Sequence, residues 1–194
     1  MRSTAGIALL AVATLGTASD RLGEDFTRPL GFQLGSMSLE KVRQRLGPAK
    51  LQHSGDAGES ESVVCYVAAK AGIQIAFKSG ELGGPENELQ GFSMKAQGTT
   101  ASPGCLALTA ASEARLKFVV GRLRLGIERE EFRQIVRKAD GEPTRLVAQF
   151  LYQDPTPGRG APGNGVPWDT LITVEGRFVG NKATEISVWR VVTQ

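Results

Sequence analysis

The chain is poor in the residues that build most catalytic and metal sites. Its 194 residues include one histidine and two cysteines, too few donors for a tetrahedral zinc site or an imidazole-based active site. Aromatic residues make up 6% of the sequence, and the net charge is only +3, because 23 basic residues are offset by 20 acidic ones. Such a balance lacks the basic footprint of a nucleic-acid-binding domain. We therefore expect no cofactor, no metal and no nucleic acid partner.

The sequence also lacks an apolar run of about 20 residues, the length that a membrane-spanning helix needs. Near the start, Arg2 is followed by an uncharged run rich in Ala and Leu, with small residues at Gly16 and Ala18. This is the layout of a secretory signal peptide. The sequence predicts a signal peptide at residues 1–18 and no transmembrane segment after its removal. We expect an exported protein, with the periplasm favoured over the extracellular medium.

The two cysteines, Cys65 and Cys105, both lie in the part of the chain that would be exported. Oxidising compartments favour cysteine pairing, and a bridge between them would close a loop of 40 residues. The alternative is a pair of buried free thiols. We predict a disulfide.

Glycine is abundant, at 24 of the 194 residues, as is typical of turn-rich β structure. Two stretches, at residues 31–48 and 121–136, align at a constant offset of 90, so that Gly31 matches Gly121. Internal repetition of this size favours units that pack side by side and share a core. The alignment predicts two repeats, at residues 19–104 and 105–194.

Each aligned stretch has helical spacing, and strand patterns follow it. The apolar stripes consist of Leu39, Val42 and Leu46 in the first stretch, and of Phe132, Ile135, Val136 and Ala139 in the second. Strand patterns follow at residues 62–67, 72–77 and 89–94, and again at 146–152, 170–174 and 185–191. We predict an α+β fold of two tandem repeats, each a helix followed by an antiparallel meander, with the helices packed on one face of the sheet or sheets.

The first helical stretch carries a resemblance to a known family. The segment from Met37 through Val42 to Leu46-Gly47-Pro48 is similar to the helix motif of BamE-type outer-membrane assembly lipoproteins. The tandem order of helix and strands resembles the architecture of the β-lactamase inhibitory protein. This resemblance implies a non-enzymatic fold of the cell envelope or the extracellular space that binds other proteins.

Three aromatic residues are candidates for a contact surface. If Ile186 and Val188 point to the core, Trp189 points to the other face of the sheet, where an exposed tryptophan is a common anchor for a protein partner. We predict that Trp189, Trp168 and Tyr152 line a concave contact surface. The alternative is that Trp189 packs between the repeats or against the long proline-rich loop.

These observations favour an exported, non-enzymatic protein-binding module, either an envelope-assembly accessory or an inhibitor of an extracellular enzyme. The identity of the protein partner and the oligomeric state stay open. A small-ligand carrier in the periplasm is the alternative, and it would show a closed apolar pocket with a few converging polar groups. An enzyme ranks third, and it would show clustered carboxylates with shifted pKa values in a cleft.

Overall fold

The computed structural model of the chain describes residues 20–56, 60–84, 86–98, 103–154 and 168–193. The predicted signal peptide at residues 1–18 lies outside these ranges. Within them, no helix is both long and apolar enough to cross a membrane.

In the described chain, two short α-helices precede five strands, and two more short α-helices precede the last four strands. The helices are α1 (Asp20–Glu24), α2 (Leu39–Leu46), α3 (Ala110–Ala114) and α4 (Arg129–Val136). The strands are β1 (Gln52–Ser54), β2 (Glu61–Ala68), β3 (Ile73–Gly80), β4 (Gly91–Ala96), β5 (Leu106–Ala107), β6 (Asp140–Glu142), β7 (Arg145–Asp154), β8 (Trp168–Val179) and β9 (Lys182–Thr193).

A single sheet contains all nine strands of the described ranges. Eight of them run antiparallel to their neighbours in the order β1-β2-β3-β4-β9-β8-β7-β6, and β5 pairs with β2 in parallel. The last strand, β9, lies between β4 and β8, with Gly91 opposite Trp189 and Lys95 opposite Glu185. Because β4 and β9 pair directly, the strands from both halves of the chain form one continuous surface.

The predicted α+β fold of two tandem helix-and-meander repeats is wrong. The described chain is dominated by one large antiparallel sheet with a few short helices. The physical reason is the pairing of β4 with β9. The backbone groups at the edge of each meander form hydrogen bonds with a strand of the other meander, so the two halves are not separate units. The boundary between residues 104 and 105 stays a prediction, and β5, just after it, pairs with β2.

Helices α2 and α4 pack on one side of the sheet, here called the core face. A row of apolar residues crosses this face from strand to strand, consisting of Val64, Phe77, Phe92, Val188 and Val174. The buried side chains of α2 and α4 belong to the same apolar cluster. Helix α4 approaches β8 at Gly176, where an added Cβ would lie only 2.8 Å from Cε2 of Phe132. A side chain at that position would push the helix away.

The opposite side of the sheet, here called the open face, carries side chains that are mostly half-buried or exposed. One row across it consists of Val63, Lys78, Gly91, Trp189, Thr173 and Gln149. The next consists of Cys65, Ala76, Ser93, Ser187, Glu175 and Val147. Small and polar residues predominate here, so this face is suited to contact with solvent or a partner.

The predicted disulfide is confirmed: Cys65 on β2 and Cys105 are bonded, with their Cα atoms 4.6 Å apart. The bond holds the segment leading into β5 against the edge of β2. Helix α3 continues this attachment, because Oε1 of the buried Glu113 accepts a hydrogen bond of 2.8 Å from the backbone N–H of Ala71 in the β2–β3 turn.

Candidate functional site

Trp189 lies near the middle of the open face, between Gly91 on β4 and Thr173 on β8. Its ring lies across Gly91, where an added Cβ would be 2.0 Å from the indole Cε3. The ring also reaches Gly80, at 3.4 Å from the corresponding Cβ position to Cζ2. The indole is half-buried and is not part of the apolar core cluster. Glycine at position 91 therefore provides the room in which the tryptophan lies flat on the sheet.

An aliphatic row lies beside the tryptophan, nearer the end of the long hairpin. Leu151 on β7, Leu171 on β8 and Val191 on β9 are directly opposite one another in the strand register. Leu151 is 66% exposed, and the other two are half-buried. Apolar side chains that adjoin one another on a surface indicate an interaction site more strongly than scattered ones.

Charged pairs border the apolar part of the open face. Glu175 accepts hydrogen bonds from Arg145 at 2.8 Å and from Arg177 at 2.9 Å. The hydrogen bond from Arg145 is the main cause that lowers the pKa of Glu175, and the bond from Arg177 adds to it against the opposing effect of burial. Toward the other edge, Lys78 pairs with Glu61 at 3.2 Å. Each of these charged side chains pairs with an opposite charge within the chain, and together they border the apolar part of the open face.

A concavity of about 510 Å³ occupies the open face beside the disulfide. Its lining includes Gln52, His53, Lys78, Lys95 and Glu185. His53, the single histidine, is exposed on β1, and its Nδ1 lies 3.1 Å from Oγ of Ser62. The concavity adjoins the Trp189 row through Lys78.

The structure does not bring the three predicted contact aromatics together. Trp189 is on the open face, whereas Tyr152, two residues beyond the buried Phe150, packs against the core from the opposite side. The backbone of Trp168 pairs with Asp154 at the start of β8, but its side chain lies outside the described residues. The aliphatic row is not among the predicted contact residues, although two adjacent apolar residues at positions 150 and 151 of a strand indicate apolar side chains on both of its faces.

A second cleft, of about 730 Å³, lies on the helix side of the sheet and is called the Arg190 cleft. Tyr152 and Arg190 line it together with Glu24, Asp25, Thr27, Arg28, Gln33, Leu34, Gly35 and Ser36. The Arg190 guanidinium lies against Gly35, where an added Cβ would be 2.0 Å from Nη1. Burial raises the pKa of nearby Glu88, and the charge of Arg190 opposes that shift. The lining is mainly polar, unlike the closed apolar pocket expected of a carrier.

Comparison of the chain with protein-family models, curated proteins and solved structures returned no match. The resemblance to BamE-type proteins stays a prediction.

Proposed function

We propose that this chain is an exported, non-enzymatic protein-binding module that contacts its partner with the open face of its sheet. The observation that carries the proposal is the half-buried Trp189, which lies flat over Gly91 away from the core. A tryptophan held against a glycine loses little conformational freedom on binding, and buried tryptophans are among the strongest contributors to protein interfaces.

The surroundings of Trp189 have the composition of an interface. The aliphatic row of Leu151, Leu171 and Val191 adds apolar area beside the indole. The ion pairs of Glu175 and Lys78 border this apolar part, as polar groups commonly border the apolar centre of a protein interface. A partner with an apolar projection surrounded by hydrogen-bonding groups fits this surface. A component of envelope assembly and an extracellular enzyme are the two partner classes.

Two features support an exported location, with the periplasm favoured over the extracellular medium. The first is the signal peptide that the sequence predicts at residues 1–18. The second is the disulfide between Cys65 and Cys105, since reducing compartments keep protein thiols reduced.

Site-specific photo-cross-linking tests which face meets the partner. A photoreactive amino acid replaces Thr173 on the open face or Gln134 on the exposed side of α4, and the chain is produced in its own cells. We expect a cross-linked protein from position 173 and none from position 134. Trp189→Ala should remove the cross-linked product. Val179→Ala, which alters a side chain 73% exposed at the far end of β8, should not.

Three outcomes would contradict the proposal. One is the same product from both faces, and another is a product that persists in Trp189→Ala. The third is a small molecule retained in native mass spectrometry without any cross-linked protein, which would favour the carrier.

A further inference from the structure

We propose that a second copy of this chain pairs with the outer edge of β7, so that two sheets join into one symmetric dimer. This inference does not depend on the proposed function. Strand β7 runs from Arg145 to Asp154, but β6 pairs only with its first three residues, Arg145 to Val147. From Ala148 onward, the described part of the chain places no strand on the outer side of β7.

The direction of the backbone groups on β7 follows from one hydrogen bond. The carbonyl of Thr144 accepts from the N–H of Phe178 and so points toward β8. In an antiparallel pair, the N–H and C=O of one residue point to the same side, and that side changes from each residue to the next. The N–H and C=O groups of Gln149 and Leu151 therefore point away from β8. Neither residue has a backbone hydrogen-bond partner outside β7 among the described residues. Unpaired groups of this kind are a template for another strand.

No described strand covers the outer edge of β7 beyond Val147, and helix α1 packs against Phe150 on the core face of β7. Residues 148–152 of β7 read Ala-Gln-Phe-Leu-Tyr, without charge, proline or glycine. Proteins commonly protect a free edge with lysine, proline, a β-bulge, or a helix or loop that lies over the edge itself. At the opposite edge of this sheet, β1 and β5 cover two parts of β2. The edge of β7 beyond Val147, which no described strand covers, therefore contrasts with the covered edge of β2.

One register makes this edge self-complementary. If a two-fold axis passes through Leu151, that residue lies opposite Leu151 of the second copy, and Phe150 lies opposite Tyr152 of the second copy. Residue 148 then faces residue 154, so the incoming strand begins where β6 ends at Val147. The outward residues 149, 151 and 153 would form about six intermolecular main-chain hydrogen bonds in this antiparallel register.

The aliphatic row indicates a second copy as the occupant. Leu151 stands at the end of the row, next to the free edge, and is 66% exposed. In the proposed register the row continues into its own symmetry mate, as Val191-Leu171-Leu151 followed by Leu151-Leu171-Val191. The contact uses the same patch on both copies, as a two-fold interface requires. Residues 148–152 carry no charge, so the approach brings no like charges together there.

The oligomeric state is the first test. Light scattering after gel filtration of the purified chain, from about 1 to about 200 µM, spans the range of weak homodimers, and we expect twice the monomer mass at the upper end. Leu151→Lys should give a monomer, because lysine on an edge opposes strand pairing. Val179→Lys, at another exposed apolar position, should stay dimeric. Circular dichroism establishes that both variants are folded.

A cysteine pair tests the register. Both native cysteines are in the disulfide, so an introduced cysteine is the only free thiol. Leu151→Cys should form a covalent dimer under mild oxidation, because directly opposite Cα atoms lie about 5.5 Å apart. Gln149→Cys should not, because the two copies of residue 149 would be about 14 Å apart.

A monomer at every concentration, a dimer unaffected by Leu151→Lys, or equal cross-linking of both cysteine variants would overturn the proposal. Trp189→Ala should remain dimeric, which separates this test from the test of partner binding.

Discussion

The packing of Trp189 on Gly91 can be tested by adding a single methyl group. In Gly91→Ala the new Cβ would lie 2.0 Å from Cε3 and 2.1 Å from Cζ3 of the indole, and 3.2 Å from Cβ of Lys78. Carbon atoms in good contact are about 3.5–4.0 Å apart. The ring must therefore move by about 1.5 Å or swing off the sheet into solvent.

Two opposing effects set the size of the change. Forcing a methyl group into a filled site costs about 1–3 kcal/mol. Alanine in a strand is otherwise favoured over glycine by about 0.5–1 kcal/mol, because it loses less backbone entropy on folding. The net expectation is a loss of about 0–2.5 kcal/mol in the free energy of unfolding, centred near about 1 kcal/mol, or a fall of about 0.5 M in the urea midpoint at an m-value of about 2 kcal/mol per M.

Urea unfolding and tryptophan fluorescence measure the two consequences. The chain has two tryptophans, so a Trp168→Phe background leaves Trp189 as the only emitter, and we expect its emission to shift to longer wavelength in Gly91→Ala. Gly98→Ala is the matched control, because an added Cβ there meets no atom within 4 Å, and its stability should change by less than about 0.5 kcal/mol. Unchanged emission together with unchanged or higher stability in Gly91→Ala would refute this account of the site.

Three further predictions concern stability. Replacing both cysteines by alanine should lower the free energy of unfolding by about 4 kcal/mol, the chain-entropy value for a 40-residue loop, and a loss under 1 kcal/mol in urea unfolding would contradict it. Tyr66 is buried and donates to the carbonyl of Gly47 at 2.9 Å, and desolvation is the main cause that raises its pKa from 10.0 to about 12. The folded state thus favours the neutral phenol, so the stability of the protein relative to Tyr66→Phe should fall as pH rises from 10 to about 12. An absorbance titration in which both tyrosines ionise near pH 10 would disprove this. Glu175→Gln should cost less than about 1 kcal/mol near pH 7. Because the folded-state pKa of Glu175 is lowered, that difference should vanish as pH falls through the acidic range, and urea unfolding that shows an equal difference near pH 3 would oppose the assignment.

Local sequence patterns were sufficient to predict the positions of the two eight-residue helices and of the longer strands. Apolar spacing identified the segments that form α2 and α4, because one face of each helix is buried. Six strand patterns coincide with β2, β3, β4, β7, β8 and β9. The strands β1, β5 and β6 were missed because each has only two or three residues, too short to show a period.

The placement of the contact aromatics could be predicted only in part. Alternation along β9 sets Trp189 on the face opposite Ile186 and Val188 once the strand is recognised. No sequence pattern indicated that Gly91 would lie beneath the ring, since these residues are about 100 positions apart. Aromatic character alone does not separate Tyr152 from Trp189, whereas strand register places Tyr152 on the core side with Phe150.

The sequence by itself determined what depends on neighbours within a few residues: which segments are helical or extended, which side chains alternate, and that two cysteines were available to pair. Only the tertiary structure decided that β4 and β9 join, that all described strands share one sheet, and that none of them pairs with the outer edge of β7 beyond Val147. Strand pairing is made by backbone hydrogen bonds, which are nearly the same for every residue type, so the choice of partner depends on the packing of the whole core and leaves little trace in any local segment.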